Sequence, residues 1–575
     1  MCAQFHSITT LLASRGLIAP NLNLLVPDNT LYDVLAIQPV GRIAVRDDFL
    51  GPEDRVTAEA KFTHFLALAA QRQPDLAFSP EYSCPWSSIT AALQNNLAPA
   101  TGKLWALCAE SVTRAQLEAV KQAHRQIEWF HEPYPNRPGN FFDPVVYFFT
   151  ATTQEGAPQR VGVIQFKTRA MEGVIERNRL IVGDTIYYFE NRPDYIRLLT
   201  IICSESMGFR PADTGRARLD NQGYVILHPQ LNLNPRHDAI SEYRGWLYLR
   251  NVGDRQEIFT LNWAKGFTFN FGQTPPSTFG GSTIYSKSLV SDRTDERLEA
   301  NHRKGLYYVR WEAMRADLNL LNYHEHVFHW KMSKAEVEMA IHRSSRTGPL
   351  MHELWRWDQG VSQWTPNDPD DGFATYVGGY GASSTCNFFL APATTALARE
   401  RLLTLSAGKL NPANDWYTPQ NIPACIAETD ERSKRLMFMH DEAEASRDFR
   451  ALHIDRYIRL NQILTAPQNF PGTIVDLRGD WQLQPPDSTS KFRHNLVSRS
   501  GRPAGATAIF LGMAAAAAAN GVRDKLVNAW TIDHTRRLIV WYDTPDGLQV
   551  AGRPLPTITD ENEHPASVTR RSPLP

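Results

Sequence analysis

Three residues of unlike chemistry stand at the ends of three apolar runs. Glu81 follows Asp75-Leu76-Ala77-Phe78-Ser79-Pro80, Lys167 follows Val161-Gly162-Val163-Ile164-Gln165-Phe166, and Cys203 follows Arg197-Leu198-Leu199-Thr200-Ile201-Ile202. A short apolar run closed by proline or a polar residue reads as a buried strand. The residue just past it lies where the backbone turns away. Brought together, a carboxylate, an ammonium and a thiol can do one specific kind of chemistry. The thiolate attacks a carbonyl or nitrile carbon, the carboxylate takes the thiol proton and later activates water, and the ammonium stabilises the developing charge. A strand-end cysteine alone says little, because free cysteine is among the most buried residue types and mostly packs inertly.

The order of these residues carries a resemblance. Pro80-Glu81, Phe166-Lys167 and Ile202-Cys203-Ser204-Glu205 resemble the three motifs of the nitrilase, or carbon–nitrogen hydrolase, superfamily, and the likeness extends over residues 1–345. The interval from Glu81 to Lys167 is 86 residues, long for the family, and that from Lys167 to Cys203 is 36, ordinary for it. The extra length falls on the Pro/Asn-rich stretch Glu132 to Pro138. The resemblance implies an α/β fold, a four-layer αββα sandwich, with Glu81 as general base, Lys167 as the cation beside the tetrahedral oxygen and Cys203 as nucleophile. The backbone N–H of Ser204 would complete the oxyanion site. The substrate would be a small amide, nitrile or N-carbamoyl compound, hydrolysed through a covalent acyl-enzyme with no cofactor, and a homodimer is the default assembly. The family places a second glutamate beyond the lysine; Glu172 and Glu176 both qualify, and Glu176 is nearer the usual separation. Here the usual aromatic or proline-rich segment is replaced by Thr168-Arg169-Ala170-Met171, whose arginine either meets an anionic group or faces solvent. His228 and Asn232, on and after the strand Gly223 to Pro229, are pocket candidates, against which stands the ordinary turn role of asparagine near proline. Glu205 reads as an anchor of the turn. Lys167 beside Cys203 is expected to depress the thiol pKa.

At 575 residues the chain calls for two or three domains. Sixty Lys+Arg balance 61 Asp+Glu, so nothing in the charge advertises a nucleic-acid or membrane-surface partner. Six cysteines in a chain of this size form no disulfide framework, and a reduced, cytoplasmic compartment fits best. Cys84, Cys108, Cys386 and Cys425 show no CxxC pairing, so no metal is expected. Met1 to Pro20 has neither the basic flank nor the apolar core of a signal peptide. No run reaches the length of a membrane span; the nearest, Met513 with Ala514 to Ala519, reads as a short helix capped at Asn520-Gly521.

Other elements follow from periodicity. Tyr32 to Gln38 reads as an opening strand and Leu104 to Cys108 as another; Ala58 to Arg72, with apolar residues at 62, 65, 66 and 69, reads as an amphipathic helix. Thr113 and Gln116 form a capping box. Val145 to Phe149 and Val161 to Phe166 pair as a hairpin, and Gly305 to Val309 is expected to be the domain's last strand. His324-Glu325-His326-Val327-Phe328-His329 lacks the zinc-protease spacing, and Tyr376 to Gly381 lacks the lysine of a phosphate loop. Residues 346–559 are expected to form an accessory, mostly helical α+β region, with a linker over Trp364 to Asp371, helices over Thr395 to Ser406 and Thr429 to Gln462, and a hairpin about Thr544-Pro545-Asp546-Gly547. Residues 560–575 read as a disordered tail. The alternative to an enzyme is a catalytically silent scaffold that meets a protein partner through the C-terminal region, in a multi-protein system such as bacterial antiviral defence.

Overall fold

The computed structural model describes residues 3–26, 30–171, 176–193, 195–209, 223–233, 256–271, 282–287, 300–301, 304–311, 316–333, 348–367, 396–408, 444–485, 494–527 and 536–552. They fall into two compact units, one holding the described residues up to Asn367, the other those from Ala396 on.

The first unit is mixed α/β with several sheets. One ten-stranded sheet runs, edge to edge, Gln363–Pro366, Leu350–Asp358, His326–Ser333, Leu31–Gln38, Leu76–Phe78, Leu104–Cys108, Pro144–Thr153, Pro158–Phe166 and Glu128–His131, with Leu17–Ile18 set against Pro144–Thr153. An eight-stranded sheet runs Gln4–Ser7, Thr185–Glu190, Arg197–Thr200, Tyr224–Pro229, Gln256–Leu261, Thr283–Lys287, Ala316–Leu321 and Leu306–Trp311. Alternate residues explain how the sheets stack. Phe78, Ala106, Cys108, Val145 and Tyr147 of the first sheet share one core with Leu198, Val225, Leu227 and Phe259 of the second. Their strand neighbours Ala77, Trp105, Leu107, Val146 and Phe148 point the other way, into a core with the helices. A strand apolar on both faces must be covered on both.

The helix Arg55–Arg72 supplies part of that cover. Asp54 caps it, accepting from Thr57 N at 3.1 Å, and Gln73 ends it in the left-handed region at φ 48°. Phe62, Phe65, Leu66 and Ala69 all lie in the helix–sheet core, as the spacing requires. Burying its three large side chains contributes about 5–9 kcal/mol. Thr113 and Gln116 form the expected reciprocal cap on Arg114–Ala123.

Two boundaries differ from expectation. The first unit does not end at 345, nor with Gly305 to Val309. His326–Ser333 lies beside Leu31–Gln38 over eight paired residues, Leu350–Asp358 adds to it, and Gln363–Pro366 follows. The supposed linker is therefore a strand up to Pro366. Its Trp364 is buried, packs on Trp357 at 5.3 Å between ring centroids, and donates from Nε1 to Lys61 O at 2.8 Å. A tryptophan amid prolines and aspartates was outvoted by its neighbours in the sequence, though it had the most apolar area to bury.

In the second unit a five-stranded sheet runs Gln482–Leu483, Leu496–Val497, Gly505–Met513, Leu538–Thr544 and Gly547–Val550. The expected hairpin closes with Thr544 opposite Gly547. Helices Ala396–Ser406 and Glu444–Thr465 pack on one face, Ala516–Val527 on the other. These described residues are layered α/β rather than mostly helical. Ala506, Ala508 and Phe510 enter one core while Ile509 and Leu511 enter the other, an alternation of period two. Nor does the alanine-rich helix stop at Asn520-Gly521. It runs to Val527 because Ala519 and Leu526 pack against Leu538 and Val540, while Asn520 Oδ1 accepts from Gly552 N at 2.7 Å. Tertiary packing outweighs a local cap signal. Residues 560–575, Tyr376 to Gly381, Cys386 and Cys425 lie outside the described residues. Among those described, no helix is long and apolar enough to cross a membrane.

Candidate active site

Strand direction brings the three chemical residues to one end of the unit. Leu76–Phe78 runs parallel to Leu104–Cys108. Pro158–Phe166 is antiparallel to Pro144–Thr153, itself antiparallel to Leu104–Cys108, so it too runs parallel to them. Glu81 and Lys167 therefore leave the ten-stranded sheet at the same end, where Pro144–Thr153 begins. In the other sheet Arg197–Thr200, Tyr224–Pro229 and Gln256–Leu261 are mutually parallel, so Cys203, Leu231 and Trp263 also emerge together. Buried Gln165 ties the sheets to each other, donating to Thr200 O at 3.0 Å and accepting from Tyr187 N at 3.0 Å. It lies two residues before Lys167 and reaches a carbonyl three residues before Cys203.

Lys167 Nζ lies 2.6 Å from Glu81 Oε1 and 2.6 Å from Glu176 Oε1, with Asp143 Oδ2 at 3.6 Å. All four side chains are buried. Glu81 Oε2 accepts from Leu231 N at 2.7 Å, and the Glu81 carbonyl from Trp263 Nε1 at 2.8 Å. The Glu81 carboxyl is also near enough to Cys203 to act on the charge of its thiol. Glu176 accepts from Tyr82 OH at 2.8 Å and Met171 N at 2.6 Å. Glu176 thus stands at the lysine; Glu172 lies outside the described residues.

Cys203 opens the seven-residue 3-10 segment Cys203–Phe209 with φ 37°, and Tyr82, beside Glu81, has φ 54°. Non-glycine residues enter this region at a cost, and such backbones recur where a side chain must be aimed. Glu205 holds the turn, accepting from Ile202 N at 2.6 Å, Thr168 N at 2.6 Å and Thr168 Oγ1 at 2.9 Å. It thereby stitches the cysteine turn to the residue after Lys167. Burial pushes its carboxyl up to about 7, against those hydrogen bonds. Ser204 Oγ donates to Arg169 O at 2.8 Å. His228 lies with Nε2 3.2 Å from the Cys203 carbonyl oxygen, supporting its backbone. Asn232 is clamped through its main chain by Asn262, whose Oδ1 accepts from Asn232 N at 3.0 Å and whose Nδ2 donates to Asn232 O at 2.8 Å.

The electrostatics correct one expectation. Burial first, then the Glu81 carboxylate, push the Cys203 thiol well above its ordinary range; Lys167 pulls down but does not win. Burial likewise raises Glu81, against the attraction of Lys167. For Lys167 itself burial disfavours the ammonium, but Glu176, Glu81 and Asp143 together hold it well above the usual lysine value. The resting site therefore holds Cys203 as a neutral thiol beside Glu81, not as a free thiolate with an imposed counter-ion.

Tyr82, Asp143, Gln165 and Trp263 all touch or tie down these groups and were not singled out from sequence. A readable signal existed for Asp143, a charged residue directly against the apolar run that begins at Pro144. Among the described residues two groups hold three candidate metal-ligand atoms within 4.8 Å of one another: Glu81, Asp143 and Glu176, and His329, His352 and Glu353. Lys167 Nζ stands among the first three. In the second, His329 Nε2 is 2.9 Å from Asp33 Oδ2 and Glu353 Oε1 is 2.9 Å from Arg72.

No family model and no curated protein matches the sequence. Among solved structures, the chain is similar to a glutamine-dependent NAD+ synthetase from Acinetobacter baumannii at 12% identity and TM-score 0.28, over 65% of this chain and 56% of that one. The chain thus spans little more than half of the synthetase. It is also similar to an amidase from Nesterenkonia sp. AN1. A doubly substituted form with acrylamide gives 10% identity and TM-score 0.25 over 45% of this chain and 84% of that one. A singly substituted form, described as from the nitrilase superfamily, gives 11% and 0.24 over 45% and 85%.

Proposed function

We propose that the first unit is a thiol-dependent hydrolase of non-peptide carbon–nitrogen bonds on a four-layer αββα scaffold, acting on a small amide, nitrile or N-carbamoyl compound. The observation that carries this reading is the buried Lys167 ammonium, 2.6 Å from both Glu81 and Glu176, at the same strand ends as buried Cys203, whose thiol feels both Glu81 and Lys167. Glu81 takes the thiol proton as sulfur attacks the substrate carbon. The proton transfer is local, so the raised thiol pKa is no obstacle: the thiolate forms only as the bond forms. Lys167 and the backbone N–H of Ser204 stabilise the oxygen or nitrogen that gains charge. Glu81 returns the proton to the leaving amine or ammonia, leaving a thioester; a nitrile passes first through a thioimidate that water converts. Water that gives its proton to Glu81 then releases the acid and the thiol. Glu176, fixed by Tyr82 and Met171, keeps Lys167 in place through both halves. A homodimer in the cytoplasm, with the second unit free to meet a protein partner, belongs to the same reading.

The test is ammonia release from a panel of aliphatic amides, nitriles and N-carbamoyl compounds, by wild type and Cys203→Ala, with mass spectrometry for the acyl adduct. Release and an adduct on Cys203 in the wild type alone support the enzyme. A silent wild type, with Cys203→Ala keeping the full biological effect, leaves the scaffold.

A further inference from the structure

Asp143 has 0% exposure, and neither of its carboxyl oxygens meets a hydrogen-bond donor among the described residues. One of its oxygens, one of Glu81 and one of Glu176 lie within 4.8 Å of one another, with a single ammonium between them. Three ionised carboxylates around one Lys167 would leave two uncompensated charges out of water, an arrangement too costly to persist. The partners say where the missing proton goes. Glu81 has Lys167 and Leu231 N; Glu176 has Lys167, Tyr82 OH and Met171 N. Asp143 has no such donor, and its nearest cation is 3.6 Å away.

We propose that Asp143 is a neutral acid that donates its proton in a hydrogen bond to Glu81, a positioning residue that keeps Lys167 between Glu81 and Glu176. Burial, then the Glu81 carboxylate, hold its acid well above the usual range, with Lys167 opposing. The groups that face it are Glu81 and Tyr82 from the turn after Leu76–Phe78, Cys108 from the end of its strand, Lys167, and Glu176. Its effect on turnover rests on the hydrolase reading above; its charge state does not. If Asp143 ionised, a third anion would draw Lys167 from Glu81 and raise the basicity of the whole cluster.

Asp143→Asn, which keeps shape and an N–H donor, separates the possibilities. An acid whose folded pKa exceeds its unfolded value stabilises fully below the unfolded pKa and loses that contribution as pH rises through the folded one. Wild type should therefore lose ground to Asp143→Asn as pH rises above the carboxylate range, by up to about tenfold in the folding equilibrium constant per pH unit. A variant that is less stable at neutral pH, by a gap that stays constant or widens toward alkaline pH, overturns the proposal. Should the variant fail to fold, the wild type still decides. With aspartate carboxyls isotopically labelled, an infrared band of a neutral carboxyl must be present at neutral pH, and its absence is equally fatal. With an active enzyme, the kcat profile of Asp143→Asn extends to higher pH than wild type while KM is unchanged. Silence toward every amide leaves the stability and infrared results standing, so the two readings fail separately.

Discussion

Replacing Lys167 by methionine keeps the aliphatic stem and removes the charge from the centre of the site. The ammonium faces carboxylate oxygens at 2.6, 2.6 and 3.6 Å, and the lysine side chain is 1% exposed. Removing one partner from a buried ion pair costs about 3–5 kcal/mol, and two close partners put this site at the upper end, about 5 kcal/mol at neutral pH. Glu176 still has Tyr82 OH and Met171 N, while Glu81 is left with Leu231 N. Its carboxyl, already raised by burial, rises further when the cation goes. The sign follows: a raised carboxyl favours the folded state below its unfolded pKa and loses that contribution as pH climbs toward the folded value. One proton taken up on folding is worth about 1.4 kcal/mol per pH unit. The Lys167→Met deficit should therefore shrink between pH 7 and pH 5, by at most about 3 kcal/mol. The assay is equilibrium urea unfolding at several pH values, followed by the fluorescence of the first unit's buried tryptophans and compared with wild type. A deficit of about 1 kcal/mol or less at pH 7, flat with pH, would refute the four-group cluster.

Cys203→Ala should lower ammonia release at least about 10³-fold while moving stability by no more than about 1 kcal/mol, read by product assay and unfolding midpoint; equal release by both proteins would put the chemistry elsewhere. Glu205→Ala strands the Ile202 and Thr168 amides and should cost about 2–5 kcal/mol, with faster hydrogen exchange at those two amides and partial recovery in Glu205→Gln. Unchanged exchange there would mean that the carboxylate does not hold the turn. In the second unit, Trp541→Ala empties a site 1% exposed and should lower that unit's stability by about 3–5 kcal/mol in denaturant unfolding; a loss under about 1 kcal/mol would place Trp541 outside its core.

Much of the first unit was legible because its signals are local. The helix over Arg55–Arg72, the capping box at Thr113, the hairpin that delivers Lys167 and the strands that precede Glu81 and Cys203 each announce themselves within a few residues. Types and order of the chemical residues were likewise on the page. The chain could not say that Asp143 joins Lys167, that Leu231 N reaches Glu81 across 150 residues, or that burial outweighs the lysine at Cys203. Those depend on which strands run parallel and on how much water the packed sheets exclude, quantities summed over distant segments. Trp364 and the alanine-rich helix make the same point in reverse: a local linker or cap signal yielded to apolar surface supplied from elsewhere in the chain. Sequence alone determined which functional groups were available and the short elements that carry them. Tertiary structure decided their charge states and partners, because a carboxyl or thiol takes its proton affinity from everything within a few ångströms, however far apart in the chain.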